Sequence, residues 1–151
     1  PFHCNFVGGI GDISLAQFNS SVRSLNLSDE VDYIGKKHGM EKSTAFKNAD
    51  IFVHPTLNDC VPLVILEAMQ YSLPVISTYE GGIPDLVENR NTGFLVRKNN
   101  VKDLSVRLQE LINSKKSREL MGKAGRRKYE QQFTIALFEK RFLDIINQIL
   151  K

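Results

Sequence analysis

The sequence predicts an α/β fold, a doubly wound parallel sheet followed by a helical C-terminal tail, and three observations predict it. Short apolar runs of strand length alternate with helix-length amphipathic runs as far as Val96. Glycine or proline punctuates the chain after several of the strand-like runs. From Val101 onward the pattern is helical to the end. Strand–helix alternation implies βα units, whose parallel strands are joined by right-handed crossovers.

Each element has its own local reason. Cys4–Val7 alternates as a short strand and is broken by Gly8-Gly9-Ile10-Gly11. A helix is expected from Ser14 to Leu25, with Ser14 as N-cap and an apolar set at Leu15, Phe18, Val22 and Leu25. Val31–Ile34 reads as the second strand and Glu41–Asn48 as a helix. Ile51–His54 is a buried strand ended by Pro55. The next helix starts with Pro62 in its first helical position, where a fixed φ helps and a missing N–H costs nothing. The strand Val75–Ser77, a short helix near Pro84–Val87 and the strand Phe94–Val96 follow. The tail is expected to break around Asn113–Ser117 and again near Thr134.

Size and composition narrow the function classes. A chain of 151 residues is read as a single domain, large enough to bury about two-thirds of its unfolded surface. Hydrophobic content of 42% and charged content of 25% describe an ordinary globule. No apolar run approaches the roughly 20 residues of a membrane span, and there is no signal-peptide pattern. Cys4 and Cys60 are too few for a disulfide framework and lack zinc-site spacing. That usage fits a reducing, cytoplasmic setting. A net charge of +3 does not announce nucleic acid. His3, His38 and His54 have no spacing that suggests a metal or a triad, and they read as structural; no metal is expected.

The most informative stretch is Asn58-Asp59-Cys60-Val61-Pro62-Leu63-Val64-Ile65-Leu66-Glu67-Ala68-Met69. It sets one carboxylate in a loop and a second inside a nearly wholly apolar helix. Glu67 is the only charge between Pro62 and Tyr71. Such a residue faces solvent beside Gln70 or receives a ligand's donors, since ionised groups are seldom buried unpaired. Downstream come Leu73-Pro74-Val75-Ile76-Ser77-Thr78, then Glu80-Gly81-Gly82-Ile83-Pro84, then Thr92-Gly93-Phe94-Leu95-Val96.

This ordered set resembles the C-terminal, nucleotide-sugar-binding domain of the family 4 retaining glycosyltransferases, which have the GT-B fold. The resemblance runs from Asn5 to about Leu150 and carries an E-x7-E-like pair, a G-I-P stretch, a T-G strand and a final helical segment. It implies a Rossmann-like half of a larger two-domain enzyme. An N-terminal acceptor domain and the first part of the C-terminal domain, including a basic pair that meets the departing diphosphate, are then expected outside these residues. It implies a nucleotide-diphosphate sugar as donor substrate, no separate cofactor, and retaining transfer of a glycosyl group to an acceptor hydroxyl. Polysaccharide or lipopolysaccharide assembly is the expected setting, and the fragment alone is expected to be inactive.

By the same resemblance Glu67 accepts hydrogen bonds from the ribose hydroxyls, a task suited to an acceptor-only carboxylate. Asp59 takes the place of the first acid, usually glutamate, which touches the donor sugar; these two are the catalytic candidates. Aspartate is one methylene shorter, so its oxygens retract by roughly 1.5 Å. Cys60, Val61, Pro62 and Leu63 stand where the family has a glycine-containing turn, at a helix N-terminus able to hold hydroxyl or phosphate oxygens. Here the usual glycines are missing and Pro62 removes a donor. Gly81 and Gly82 offer amides to a pyrophosphate or make a turn that needs positive φ. Gly35 and Lys36 fall in the region that the family places near the nucleobase, although a solvated basic turn explains the lysine equally well.

The run from Lys115 to Lys128, with Glu119 its only acid, is either a solvated helix face or a peripheral contact with anionic membrane at the inner leaflet. Three alternatives stand beside the transferase. One is a GT-B-like nucleotide-sugar epimerase; another is a non-catalytic nucleotide-sugar-binding module, suggested by aspartate at the first motif position; the third is a basic module that binds RNA or membrane through the late lysine and arginine run.

Overall fold

The computed structural model describes residues 2–150, which form two compact units, one up to Ala45 and one from Phe46. In the first, β1 (Cys4–Val7) pairs in parallel with β2 (Val31–Gly35), and α1 (Leu15–Ser24) connects them. The register runs from Cys4↔Val31 to Phe6↔Tyr33, then slips so that Val7 meets Gly35. Ser14 is the N-cap, as its sequence position predicts, and it forms a reciprocal capping box with Gln17. The Ser14 N–H donates to Gln17 Oε1 over 2.9 Å, and Gln17 N–H donates to Ser14 Oγ over 3.3 Å.

A small aromatic cluster takes the place of a core in this unit. The Phe18 ring lies 5.0 Å from Phe6 and 5.8 Å from Tyr33. Of the predicted apolar set, Phe18 and Val22 are half-buried, whereas Leu15 and Leu25 are exposed. A two-stranded sheet has too little surface to cover the full face of a helix.

The helix α2 (Gly39–Lys47) leads into the second unit, where β3 (Phe52–His54), β4 (Val75–Thr78) and β5 (Gly93–Val96) form a parallel sheet in that order. Between and after them come α3 (Leu63–Gln70), α4 (Ile83–Leu86), α5 (Val101–Asn113), α6 (Lys115–Gln132) and α7 (Ile135–Ile149). Every residue of β4 and β5 is buried. Their side chains alternate between two apolar clusters, as the period of two requires. Val75 and Leu95 join Ile65, Ala68 and Met69 of α3, while Ile76, Phe94 and Val96 join Leu111 of α5. The sheet is thus covered on both sides, the doubly wound arrangement that the alternation predicts.

One local detail differs from the sequence-based expectation. Pro62 is the N-cap of α3 (φ −72°, ψ 106°), and the first helical residue is Leu63. An extended ψ places the proline half outside the helix, and its fixed φ suits that position as well. The tail does break where predicted, because Ser114 caps α6 through Ser117 N–H and Thr134 caps α7 through Leu137 N–H. The helix α6 closely approaches the turn after α3 through glycine: a Cβ at Gly122 would lie 1.9 Å from Ser72 O. By contrast α7 buries none of its residues and leaves Ile135, Phe138, Phe142 and Ile149 exposed.

Both cysteines are free. Among the described residues no helix is long and apolar enough to cross a membrane.

Candidate functional site

In an open parallel sheet, ligands bind beyond the carboxyl ends of the strands. Two loops leave those ends in the second unit, residues 55–62 after β3 and 79–82 after β4, and they interlock. Thr78 Oγ1 donates to Thr56 O over 2.7 Å, and Ser77 Oγ donates to His54 O over 2.7 Å. The Gly82 N–H donates to Cys60 O over 2.6 Å. At Gly81, with φ +48°, a Cβ would lie 2.2 Å from Asp59 O and 2.6 Å from Cys60 O. Only glycine supplies both the positive φ and the close approach there.

These contacts bring five of the sequence-predicted residues together: Asp59, Cys60 and Val61 on one loop, Gly81 and Gly82 on the other. They also divide the labour of the glycines. The Gly82 amide is taken up by Cys60 O and is not offered to a pyrophosphate, so this residue shapes the turn.

Pro62 and Leu63 open α3, and no side chain caps this helix. Pro62 O accepts from Ile65 N–H over 3.0 Å. Proline has no N–H to give, so the open donors of the first turn are backbone groups that follow it. Glu67 stands in the second turn of α3 and is half-buried, with Ile65, Ala68 and Met69 beside it fully buried. Gly35 and Lys36 belong to the first unit, where Gly35 (φ +72°) ends β2 and its carbonyl accepts from Gly8 N–H over 3.2 Å. Lys36 is exposed.

Three residues at the loop pair fall outside the sequence-predicted site: His54, which the sequence reads as structural, Lys98 and Glu80. His54 Nε2 lies 3.3 Å from Asp59 Oδ2, so this histidine touches a candidate site residue. Lys98 forms an ion pair with Glu80 and donates to Leu57 O over 3.4 Å, strapping the two loops together. For His54 the available signal was its place at the carboxyl end of a strand. Lys98 and Glu80 carry no local pattern that pairs them.

The late basic run is partly occupied inside the unit. Arg118 Nη1 donates to Leu111 O and Ile112 O over 2.8 and 3.0 Å, at the C-terminal end of α5. Arg126 donates to Gln70 O at the end of α3. Lys128 is buried, donating to Asp85 O over 2.8 Å and pairing with Glu88 at 3.0 Å. Cations placed against the open carbonyls of helix C-termini are favourable. The Glu88 carboxyl is held below its ordinary value of 4.5, chiefly by the hydrogen bond from Asn91 and then by Lys128. Among the described residues no cluster of three or more His, Cys, Asp or Glu could hold a metal ion.

Residues 2–128 match the family described as glycosyl transferases group 1. The chain belongs to that family. Its group 1 relatives include the sulfoquinovosyl transferase SQD2 of Arabidopsis thaliana, 37% identical over 102 residues, covering 66% of this chain and 20% of the relative. The capsular polysaccharide biosynthesis glycosyltransferase CapM of Staphylococcus aureus is 31% identical over 140 residues, covering 87% of this chain and 37% of CapM. The chain therefore spans well under half the length of these curated relatives. Its parallel α/β architecture is that of GT-B glycosyltransferases. HepE from Anabaena, solved in complex with UDP, matches with a TM-score of 0.86 at 19% identity, covering 97% of this chain and 41% of HepE.

Proposed function

We propose that this chain is the donor-binding half of a retaining glycosyltransferase whose N-terminal GT-B domain carries the acceptor. The donor is a nucleotide-diphosphate sugar and the product a polysaccharide or lipopolysaccharide glycoside. The observation that carries the proposal is the interlocked loop pair at the carboxyl ends of β3 and β4, holding Asp59 against Gly81 in a group 1 family chain. One relative and one solved structure of the same fold support the substrate class: CapM is named for capsular polysaccharide biosynthesis, and HepE was solved with UDP.

In this reading Glu67 accepts from the ribose hydroxyls and Asp59 from the donor sugar. In the same reading the diphosphate meets the backbone N–H groups and the positive end of the helix dipole at the start of α3. Positively charged groups of the longer enzyme then meet the charge that develops as the glycosidic bond to the diphosphate breaks. The 151 residues alone bind nucleotide and transfer nothing.

Calorimetric titration of UDP, GDP and ADP into the chain, repeated with Glu67→Ala, tests the proposal. Saturable binding of one nucleotide is expected, weakened about tenfold in the variant, equivalent to about 1.4 kcal/mol. Equal binding by both proteins would remove Glu67 from the site. Turnover by the isolated chain would overturn the division of labour between domains.

A further inference from the structure

We propose that His54 is a positioning residue for Asp59, aiming its carboxylate at the donor sugar; this rests on the donor-binding reading above. His54 Nε2 stands 3.3 Å from Asp59 Oδ2, with side chains 29% and 31% exposed. An ionised carboxylate only accepts hydrogen bonds, so Nε2 carries the proton and donates it. One carboxylate oxygen is then engaged by the imidazole, and the other is left to accept from a sugar hydroxyl.

The imidazole is the fixed partner of the pair. His54 sits in β3 in register with Ser77, and its carbonyl accepts from Ser77 Oγ over 2.7 Å. Its ring lies nearly parallel to that of Phe52, at 11° and a centroid distance of 6.2 Å. Asp59 lies on a loop, held through its backbone against Gly81. Loop side chains lose more freedom on engaging a ligand than side chains already locked by packing. An aspartate in place of a glutamate also has one rotatable bond fewer, so a single hydrogen bond suffices to set its orientation. His54 thereby ties the shorter acid to the sheet edge.

The test separates sugar binding from nucleotide binding. Affinities for UDP and UDP-glucose, GDP and GDP-mannose, and ADP and ADP-glucose are measured for the wild type, His54→Gln, His54→Asn and Asp59→Asn. Glutamine can place an amide N–H where Nε2 stands; asparagine is too short to do so. The expected result is that His54→Asn lowers the nucleotide-sugar affinity about fivefold to tenfold while leaving nucleoside diphosphate binding unchanged. His54→Gln is expected to restore the wild-type value within about threefold, and Asp59→Asn to match the loss. If Asp59→Asn weakens sugar binding and His54→Asn does not, the positioning role is overturned and the donor site stands. If the wild type binds none of the six compounds, both readings fall. Long-range proton–nitrogen correlation spectra of the His54 ring give a ligand-free arm. The Nε2–H tautomer supports the role, and an Nδ1–H tautomer overturns it.

Discussion

The two parallel sheets of this chain share a strand direction and a connection by helices, and they reach opposite degrees of burial. In β1 only Cys4 is half-buried, with Asn5, Phe6 and Val7 exposed, whereas all eight residues of β4 and β5 are buried. Strand pairing alone does not make a core. In the unit from Phe46 onward, helices cover both faces of the sheet and remove its apolar side chains from water, the dominant favourable term in folding. In the unit up to Ala45, three aromatic rings hold β1, α1 and β2 together. The candidate carboxylates Asp59 and Glu67 stand in the unit with the core, where a rigid sheet can hold a site in place.

Substitution at glycine gives the sharpest contrast. A Cβ at Gly93 would lie 2.0 Å from Val75 O, a backbone atom of the neighbouring strand. Gly93→Ala is expected to cost about 4 kcal/mol or more, because β4 and β5 must separate. A urea unfolding midpoint close to that of the parent would show that the sheet can give way cheaply.

The aromatic residues of the two units should differ next. Phe94 is 1% exposed and packs with Ile76, Val96 and Leu111. Phe94→Ala is expected to lower global stability by about 3–5 kcal/mol. Phe18→Ala should cost only about 1–2 kcal/mol, and that loss should appear as faster amide hydrogen exchange in β1 and β2, not as an equal fall in the global midpoint. Equal effects from the two substitutions would mean that the units unfold as one.

Electrostatics contribute less. The Glu88 carboxyl is lowered from 4.5 by Asn91 and Lys128, so its stabilisation is complete above that ordinary value and is lost as pH falls through the depressed folded one. Its side chain is 46% exposed, so screening limits the contribution to about 1 kcal/mol. Glu88→Gln is expected to lower stability at pH 7 by about that amount, with the gap to the parent closing below pH ~4.5. A gap independent of pH would assign the effect to packing.

The smallest effect belongs to the first unit. A Cβ at Gly11 meets nothing within 4 Å. Gly11→Ala should be neutral within about 0.5 kcal/mol. A large loss there would reveal a backbone requirement that the local geometry does not show.

Much of the fold and part of the site are legible in the amino-acid order. Ser14, the break at Ser114 and Thr134 announce helix starts because a side-chain oxygen within three residues satisfies an open backbone N–H. The alternation of Val75 and Ile76 between two apolar clusters follows from the period of a strand. Asp59 and Glu67 stand out because a lone acid in an apolar helix and another in the preceding loop form a spacing that recurs in a known family. Leu15 and Leu25 misled, since an apolar stripe states a preference for burial and not that a partner surface is there.

The sequence by itself determined the alternation of strands and helices, the caps and the family spacing, because each depends on residues within a turn or two of one another. Only the tertiary structure decided that His54 meets Asp59, that Lys98 ties Leu57 to Glu80, and that Lys128 reaches Asp85 across 43 positions. Such contacts join different elements, and a charge or an imidazole looks the same in sequence whether it faces water or a partner. Their existence rests on β3 and β4 lying side by side and on Gly81 and Gly122 letting backbones come close.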